Sequence, residues 1–300
     1  MRRAAIDIGT NSVKCLIADM RGGQLFPLLD EIRGTRLGAD LDSSGSIGDA
    51  AMRRTIGALR EVKELCNLYQ AEKIICVGAM TLRRAANADD FIHKVKADTG
   101  MDVIVLSGEL EAELSFLAAA ELAESEESRV LVVDAGGGST ELAFGTPKQI
   151  QSLGSMPLGA VTLTARHLTS DPPLPQELAS LEADVRQSLT AHHPDPQTIP
   201  AIGCGGTLTS LAAVFHRLKS YDAAIVHGSK LALGEIKRQR ELYMGMSLYE
   251  RKLIVGLNPQ RADIIIAGAA IIIGIMEHFG LAEIMVSDHG LRHGALLLPI

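Results

Sequence analysis

The chain has 300 residues, which is comfortable for two domains of ordinary size. Its 29 basic and 36 acidic residues leave a formal charge of −7, which excludes an overall basic field suited to nucleic acid or to an anionic membrane. The four cysteines, Cys15, Cys66, Cys76 and Cys204, have no paired metal-ligand spacing, so they read as reduced core thiols of a cytosolic protein.

In chain order, strands are expected over roughly 4–19 and 24–32, with a tight turn near Gly9. The N-terminal MRRAAIDIG is interrupted by Asp7 before any apolar stretch long enough for a signal peptide. After the turn-rich LGADLDSSGSIG, apolar spacing predicts a helix from Asp49 to Tyr69. KIICVGA is a strand, and the second half of MTLRRAANADDFIHKVKADTG is a helix that stops at Gly100. DVIVLSG is another strand, and GELEAELSFLAAAELAES opens a helix of strong formers. A domain boundary is expected near 120–128, in the acidic ELAESEESR. From Arg129 the pattern restarts with a hairpin, a third strand near Gln149, the Pro-rich DPPLPQELA, a helix over 176–192 and a strand into PAIGCGG. The run Ile264 to Met276 is too short to span a bilayer and reads as a buried helix, followed by the strand EIMVSDHG. Strands alternating with helices predict a largely parallel or mixed sheet, the α/β class.

Two segments repeat each other. RAAIDIGTNSVKCLIAD and RVLVVDAGGGSTELAFG place Asp7 over Asp134, Gly9 over Gly136 and Ser12 over Ser139. Each reads as a strand ending on a carboxylate, a Gly turn with N–H groups pointing one way, and a hydroxyl as a further donor. That is how a protein holds a phosphate. Asn11 and Ser12 are the candidates in the first turn, and Gly136, Gly137, Gly138, Ser139 and Thr140 in the second. In IGCGGTLTSLAA, Gly205, Gly206 and Thr207 lead a strand into a helix whose N-terminus offers N–H groups to an anion. Tandem hairpins imply duplicated halves facing one another across a cleft, with a phosphorylated ligand between them. His192 and His193, in AHHPDP, read as solvated, and His289 with His293 lack metal-ligand spacing, so no histidine is assigned to a metal.

IDIGTNSVK, GAMTLRRAANADDF, SGELEAE, VVDAGGGSTEL, LGAVTLTARHL, IGCGGTLTSLAA and ADIIIAGAAI with VSDHGLRHG occur in this order over essentially the whole chain. Together they resemble the exopolyphosphatase/guanosine pentaphosphate phosphatase (Ppx/GppA) family of the actin-like superfamily. The resemblance implies two actin-like (ribonuclease H-like) domains, over 1–123 and 124–300, built as duplicated βββαβαβα-type halves with an interdomain cleft. It implies a Mg²⁺-dependent phosphoanhydride hydrolase acting on inorganic polyphosphate, guanosine pentaphosphate or both, with no nucleic-acid partner, and it is compatible with a homodimer. It places the catalytic base at Glu111, flanked by Glu109 and Glu113, and makes Arg83 a guanidinium clamp on phosphate, with Arg84 a surface residue. Hard oxygen ligands facing a polyphosphate suit Mg²⁺, with Asp134 first and Glu141 and Asp7 as further candidates. Longer members continue into a helical C-terminal region that is not seen here, so degradation is expected to be distributive. Two alternatives stay open: an actin-like phosphotransferase, and a catalytically weak sensor of guanosine polyphosphates, since Thr162 stands where relatives often have Arg.

Overall fold

The computed structural model describes residues 1–22, 24–192 and 199–298, so His193 lies outside the described residues. The chain divides into two compact units, Met1–Leu114 with Leu291–Ile300, and Ser115–Gly290. The division falls inside the helix Gly108–Ala119 rather than in the acidic stretch 120–128, and the last residues belong with the first unit rather than the second.

The first unit is built on strands β1 (Arg2–Ile8), β2 (Ser12–Arg21), β3 (Gln24–Gly34), β4 (Lys73–Gly78) and β5 (Val103–Val105). Their order is β3-β2-β1-β4-β5, antiparallel from β3 to β1 and parallel from β1 to β5. Both faces of β1 are covered, which is why it reads as one apolar run rather than an alternation. Ala4, Ile6 and Ile8 pack with Leu59, Val62 and Cys66 of the helix Asp49–Leu68 and with Phe91 and Val95 of the helix Ala88–Thr99. Ala5 faces the other way, with Ile75, Val77, Leu106 and Leu114, and with Leu291, Ala295 and Leu296. Arg292 then fastens the C-terminal segment by a two-pronged bond to Asp30, Nε to Oδ1 at 3.0 Å and Nη2 to Oδ2 at 2.6 Å. Arg3 Nη1 adds a bond to the Leu296 carbonyl at 2.9 Å.

The second unit carries β6 (Val130–Ala135), β7 (Thr140–Thr146), β8 (Gln149–Met156), β9 (Ala201–Cys204), β10 (Lys230–Ala232) and β11 (Glu283–Val286). The order β10-β11-β9-β6-β7-β8 contains β8-β7-β6-β9-β11, the arrangement of the first sheet over again. The added edge strand β10 pairs antiparallel with β11 and is too short to have been recognised from alternation. The helix Ile265–His278 is the hub of this unit, with eleven of its residues buried. It packs with Leu181, Val185 and Leu189 of the helix Pro175–Leu189 and with Leu208 and Leu211 of the helix Gly206–Phe215. No helix among the described residues is long and apolar enough to cross a membrane. All four cysteines are buried, and none is in a disulfide among the described residues. His192 is half-buried rather than solvated, its ring 3.1 Å from where a Cβ on Gly154 would stand.

Ile272 is fully buried in the hub helix. Ile272→Ala should therefore cost about 2–5 kcal/mol, by lost transfer energy and the cavity left behind. Leu253→Ala, at a side chain 65% exposed, should stay within about 0.5 kcal/mol. Urea unfolding of the two variants against the parent checks both values.

Candidate active site

The repeated sequences fold into the same turn. The Gly9 amide donates to the Ser12 carbonyl at 3.0 Å, and the Gly136 amide to the Ser139 carbonyl at 2.9 Å. A later segment of the same unit then takes up the carbonyl oxygens of each turn. The Thr10 carbonyl accepts from Gly38 at 3.0 Å, and the Asn11 carbonyl accepts from Thr35 at 3.1 Å and Arg36 at 2.9 Å. In the second turn, the Gly136 and Gly137 carbonyls accept from Ala160 at 3.1 Å and Val161 at 2.8 Å, the first amides of the helix Ala160–His167. A trans peptide points its C=O and N–H in opposite directions. The N–H groups of Asn11 and Ser12, and of Gly137 and Gly138, are therefore turned away from those supports as small clusters of donors. Thr140 is different. Its hydroxyl is fully buried and donates to the Leu158 carbonyl at 2.6 Å, so it anchors the segment after β8.

Directly opposed residues of an antiparallel pair share one face of the sheet. In the first hairpin, Asp7 is opposed by Lys14, whose Nζ lies 3.1 Å from Asp7 Oδ2. At the same place in the second hairpin, Asp134 is opposed by Glu141. Two carboxylates directly opposite are unfavourable without positive charge between them. Each accepts from a serine: Ser115 Oγ donates to Asp134 Oδ2 at 2.6 Å, and Ser155 Oγ to Glu141 Oε1 at 2.8 Å. Gly205 closes in on the same Asp134. It has φ +90°, and a Cβ there would stand 2.8 Å from Asp134 Oδ1, so the position admits glycine alone on both counts. The fold thus gathers Asp134, Glu141, the Gly136–Ser139 turn and Gly205 within the second unit. Thr207 is buried against Gly268 of the hub helix.

In the first unit, Ser107 caps the helix Gly108–Ala119, its hydroxyl accepting from the Leu110 amide at 3.1 Å. Glu109 stays at the helix start, where its own backbone N–H and then Ser107 hold its carboxyl below the usual range. Glu111 instead meets Arg83: Arg83 Nη1 donates to Glu111 Oε2 at 2.9 Å and to the Leu106 carbonyl at 2.8 Å. Both bonds come from Nη1, and a guanidinium carries three more N–H groups on Nε and Nη2. The side chains are 24% and 12% exposed, so neither group is fully withdrawn from solvent. Arg84, by contrast, pairs with Asp42 at 2.9 Å and is 45% exposed.

The family model for Ppx/GppA phosphatases matches residues 16–298. The chain belongs to the Ppx/GppA phosphatase family. A Mycobacterium tuberculosis protein named Exopolyphosphatase 2 is 34% identical over 316 residues, which cover 99% of this chain and 98% of that protein. A crystal structure of the Aquifex aeolicus family member is 34% identical with a TM-score of 0.82, covering 99% of this chain and 96% of that one. An exopolyphosphatase structure from Cytophaga hutchinsonii is 25% identical with a TM-score of 0.90, covering 99% and 97%.

Two residues of this Ppx/GppA chain escape a reading of motifs. Ser115 reads as an interior helix residue, and only the fold brings its hydroxyl to Asp134. Arg261 follows Asn258 and Pro259 in a surface-like string, yet its guanidinium lies against Gly206, where a Cβ would overlap it. Burial pulls that guanidinium below its ordinary range, with Asp263 opposing the shift.

Lys14→Met should cost about 2–4 kcal/mol, since it strands the Asp7 carboxylate, 5% exposed, without its cation. The figure stays below that of a wholly buried pair because Lys14 is 21% exposed. Asp7→Asn in the same chain should recover most of the loss, as a double-mutant cycle in urea will show. Recovery of the Lys14→Met protein by Mg²⁺ alone would instead put the metal on Asp7.

Proposed function

We propose that this protein is a Mg²⁺-dependent phosphoanhydride hydrolase that releases terminal phosphate from inorganic polyphosphate, with guanosine pentaphosphate as a second substrate. The observation that carries the reading is the opposed pair Asp134 and Glu141 beside a glycine turn whose N–H groups point outward. Such a place wants a hard cation and, next to it, phosphate oxygens. The name of the Mycobacterium tuberculosis relative supports polyphosphate as the substrate.

Asp134 is the ligand we assign to Mg²⁺, with Glu141 the second; Asp7 is served by Lys14. The donor set fits, being carboxylate oxygen throughout. Mg²⁺ supplies charge neutralisation on the phosphate oxygens and the leaving group. Ser115 holds one oxygen of Asp134 and so sets the direction of the other.

Hydrolysis needs a water in line with the terminal phosphorus and a group to take its proton. Glu111 Oε is that acceptor, turned by Arg83 away from the helix start where Glu109 remains. The remaining N–H groups of Arg83 are suited to a non-bridging phosphate oxygen. The donors of Asn11 and Ser12 in the first unit, and those of Gly137 and Gly138 in the second, are each suited to phosphate oxygens and carry no net charge of their own. Thr162, where relatives often have Arg, caps its own helix: its Oγ1 accepts from the Gly159 amide at 3.2 Å and donates to the Gly159 carbonyl at 3.0 Å.

Free phosphate should be followed with long-chain polyphosphate, guanosine pentaphosphate, and ATP plus a sugar panel, each with Mg²⁺ and with EDTA. Glu111→Gln should lower kcat by about two to four orders of magnitude while leaving KM nearly unchanged. A residual kcat within about threefold of the parent would sink the assignment of the base. Asp134→Ala should leave almost no turnover at Mg²⁺ levels that saturate the parent, and full activity of the parent in EDTA would end the metal-dependent mechanism. Ser115→Ala should raise the Mg²⁺ concentration for half-activity by about tenfold or more, with kcat at saturating Mg²⁺ close to the parent.

A further inference from the structure

Among the described residues, Glu121, His227 and His289 form a group whose ligand atoms all lie within 4.8 Å of one another. His289 Nδ1 meets Glu121 Oε1 in a short hydrogen bond, and His227 Nε2 stands 3.7 Å from the same oxygen. The two imidazole rings are 4.4 Å apart, tilted by 35°. The set lies within the second unit and shares no residue with the carboxylates assigned to Mg²⁺. We infer that Glu121, His227 and His289 form a binding site for a borderline divalent transition-metal ion, Zn²⁺ foremost.

Donor chemistry selects the class of ion. Two imidazole nitrogens and one carboxylate oxygen suit Zn²⁺ and its first-row neighbours, whereas Mg²⁺ and Ca²⁺ demand oxygen. A tetrahedral ion with bonds of ~2.0–2.1 Å keeps its ligand atoms about 3.3 Å apart, so small side-chain rotations suffice. Coordination through His289 Nδ1 would replace its hydrogen bond to Glu121, with the single ring proton carried on Nε2 instead. Neutral imidazole is the form that ligates, and burial, followed by the neighbouring His289, pulls His227 below the usual imidazole range, with Glu121 and Asp288 pulling the other way.

The supports are rigid. The residues after His227 are laced to β11: the Gly228 amide donates to the Val286 carbonyl and the Val286 amide to the Ser229 carbonyl, each at 2.8 Å. His289 is held by Ser287, whose Oγ accepts from the His289 amide at 3.1 Å and donates to the His289 carbonyl at 2.9 Å. Glu121 stands on the short helical turn Ala120–Leu122, and Ala120 is buried with Ile202 and Cys204. The Asp288 amide donates to His227 Nδ1 at 3.3 Å, a long bond that gives way when coordination through Nε2 moves the ring proton to Nδ1. Gly290, next to His289, lies where a Cβ would be 3.9 Å from Asp134 Oδ2. An ion on His289 therefore steadies the segment that walls Asp134.

The experiment is Zn²⁺ titration of the full chain by calorimetry in excess Mg²⁺, with Co²⁺ as a spectroscopic substitute whose ligand-field bands report nitrogen and oxygen ligands. One ion per chain is expected. His227→Ala and His289→Ala should each weaken binding by about a hundredfold or more, and Glu121→Gln by about tenfold or more. Zn²⁺ should raise the thermal midpoint of the parent and leave that of the double variant His227→Ala/His289→Ala unmoved, with circular dichroism showing that the variant is folded. Asp134→Asn, and His93→Ala on the helix Ala88–Thr99 of the first unit, should bind Zn²⁺ as the parent does. Because the inference does not rest on the proposed hydrolysis, Asp134→Asn separates the two: loss of the Zn²⁺ site in that variant would place the ion at Asp134 and overturn the assignment. Zn²⁺ binding that survives in the folded double variant, or no binding by the parent, would also overturn it.

Discussion

A tight turn that is to hold an anion must first dispose of its own carbonyl oxygens, because these repel the ligand its amides attract. Both hairpins meet that constraint in the same way. The oxygens of Thr10 and Asn11 are taken up by the chain that enters Thr35–Gly38, and those of Gly136 and Gly137 by the first amides of the helix Ala160–His167. Peptide planarity then turns the intervening N–H groups the other way. The helix gains as well, since two of its orphan amides find partners. Each turn is thus held from behind by a later element of its own unit, and the strand end that carries Asp7 or Asp134 is placed by the same bonds.

From that common frame the two copies diverge at one register position. Lys14 across from Asp7 makes a self-contained ion pair, while Glu141 across from Asp134 concentrates negative charge. A sheet built for stability alone would favour the first arrangement at both places. Keeping the second is costly, and cost retained on one face beside a donor-rich turn is the mark of a site that expects a ligand. The serines fit this division. Ser115 donates to Asp134 and Ser155 to Glu141, neutral hydrogen bonds that orient the carboxylates and add no charge.

Much of this was legible in the sequence because local pattern decided it. Asp7 and Asp134 interrupt apolar runs two residues before a glycine, so their place near a strand end needed no tertiary information. The Ile264 to Met276 run read as a buried helix, and Ile265–His278 is one. The features that local pattern does not show depend on contacts between distant segments. Arg292 and Leu296 fall far from Asp30 and Arg3 in the chain, so nothing local showed that the C-terminal segment belongs to the first unit. Thr140 and Thr207 sit among good phosphate ligands, yet their hydroxyls are drawn into the interior, which residue type alone does not show. Glu121, His227 and His289 lie on three separate segments, and histidine spacing carries no signal when each ligand comes from a different element.

A protein of net charge −7 that handles a polyanion has to solve a long-range problem with short-range means. Its overall field repels the substrate, but at ordinary ionic strength that field fades within about 8–10 Å. Inside that range, backbone N–H groups at a glycine turn offer directed partial charge and bring no counterion or flexible stem. Full positive charges are used sparingly and where geometry counts. Arg83 is already braced against Glu111 and the Leu106 carbonyl, so little side-chain freedom would remain to be lost in the proposed contact with a phosphate. Arg261 is placed at the Gly206 end of a helix, where its charge adds to that of the amides. Recognition of a phosphate chain by the proposed site is therefore a matter of aimed donors and of the metal assigned to Asp134, not of bulk attraction.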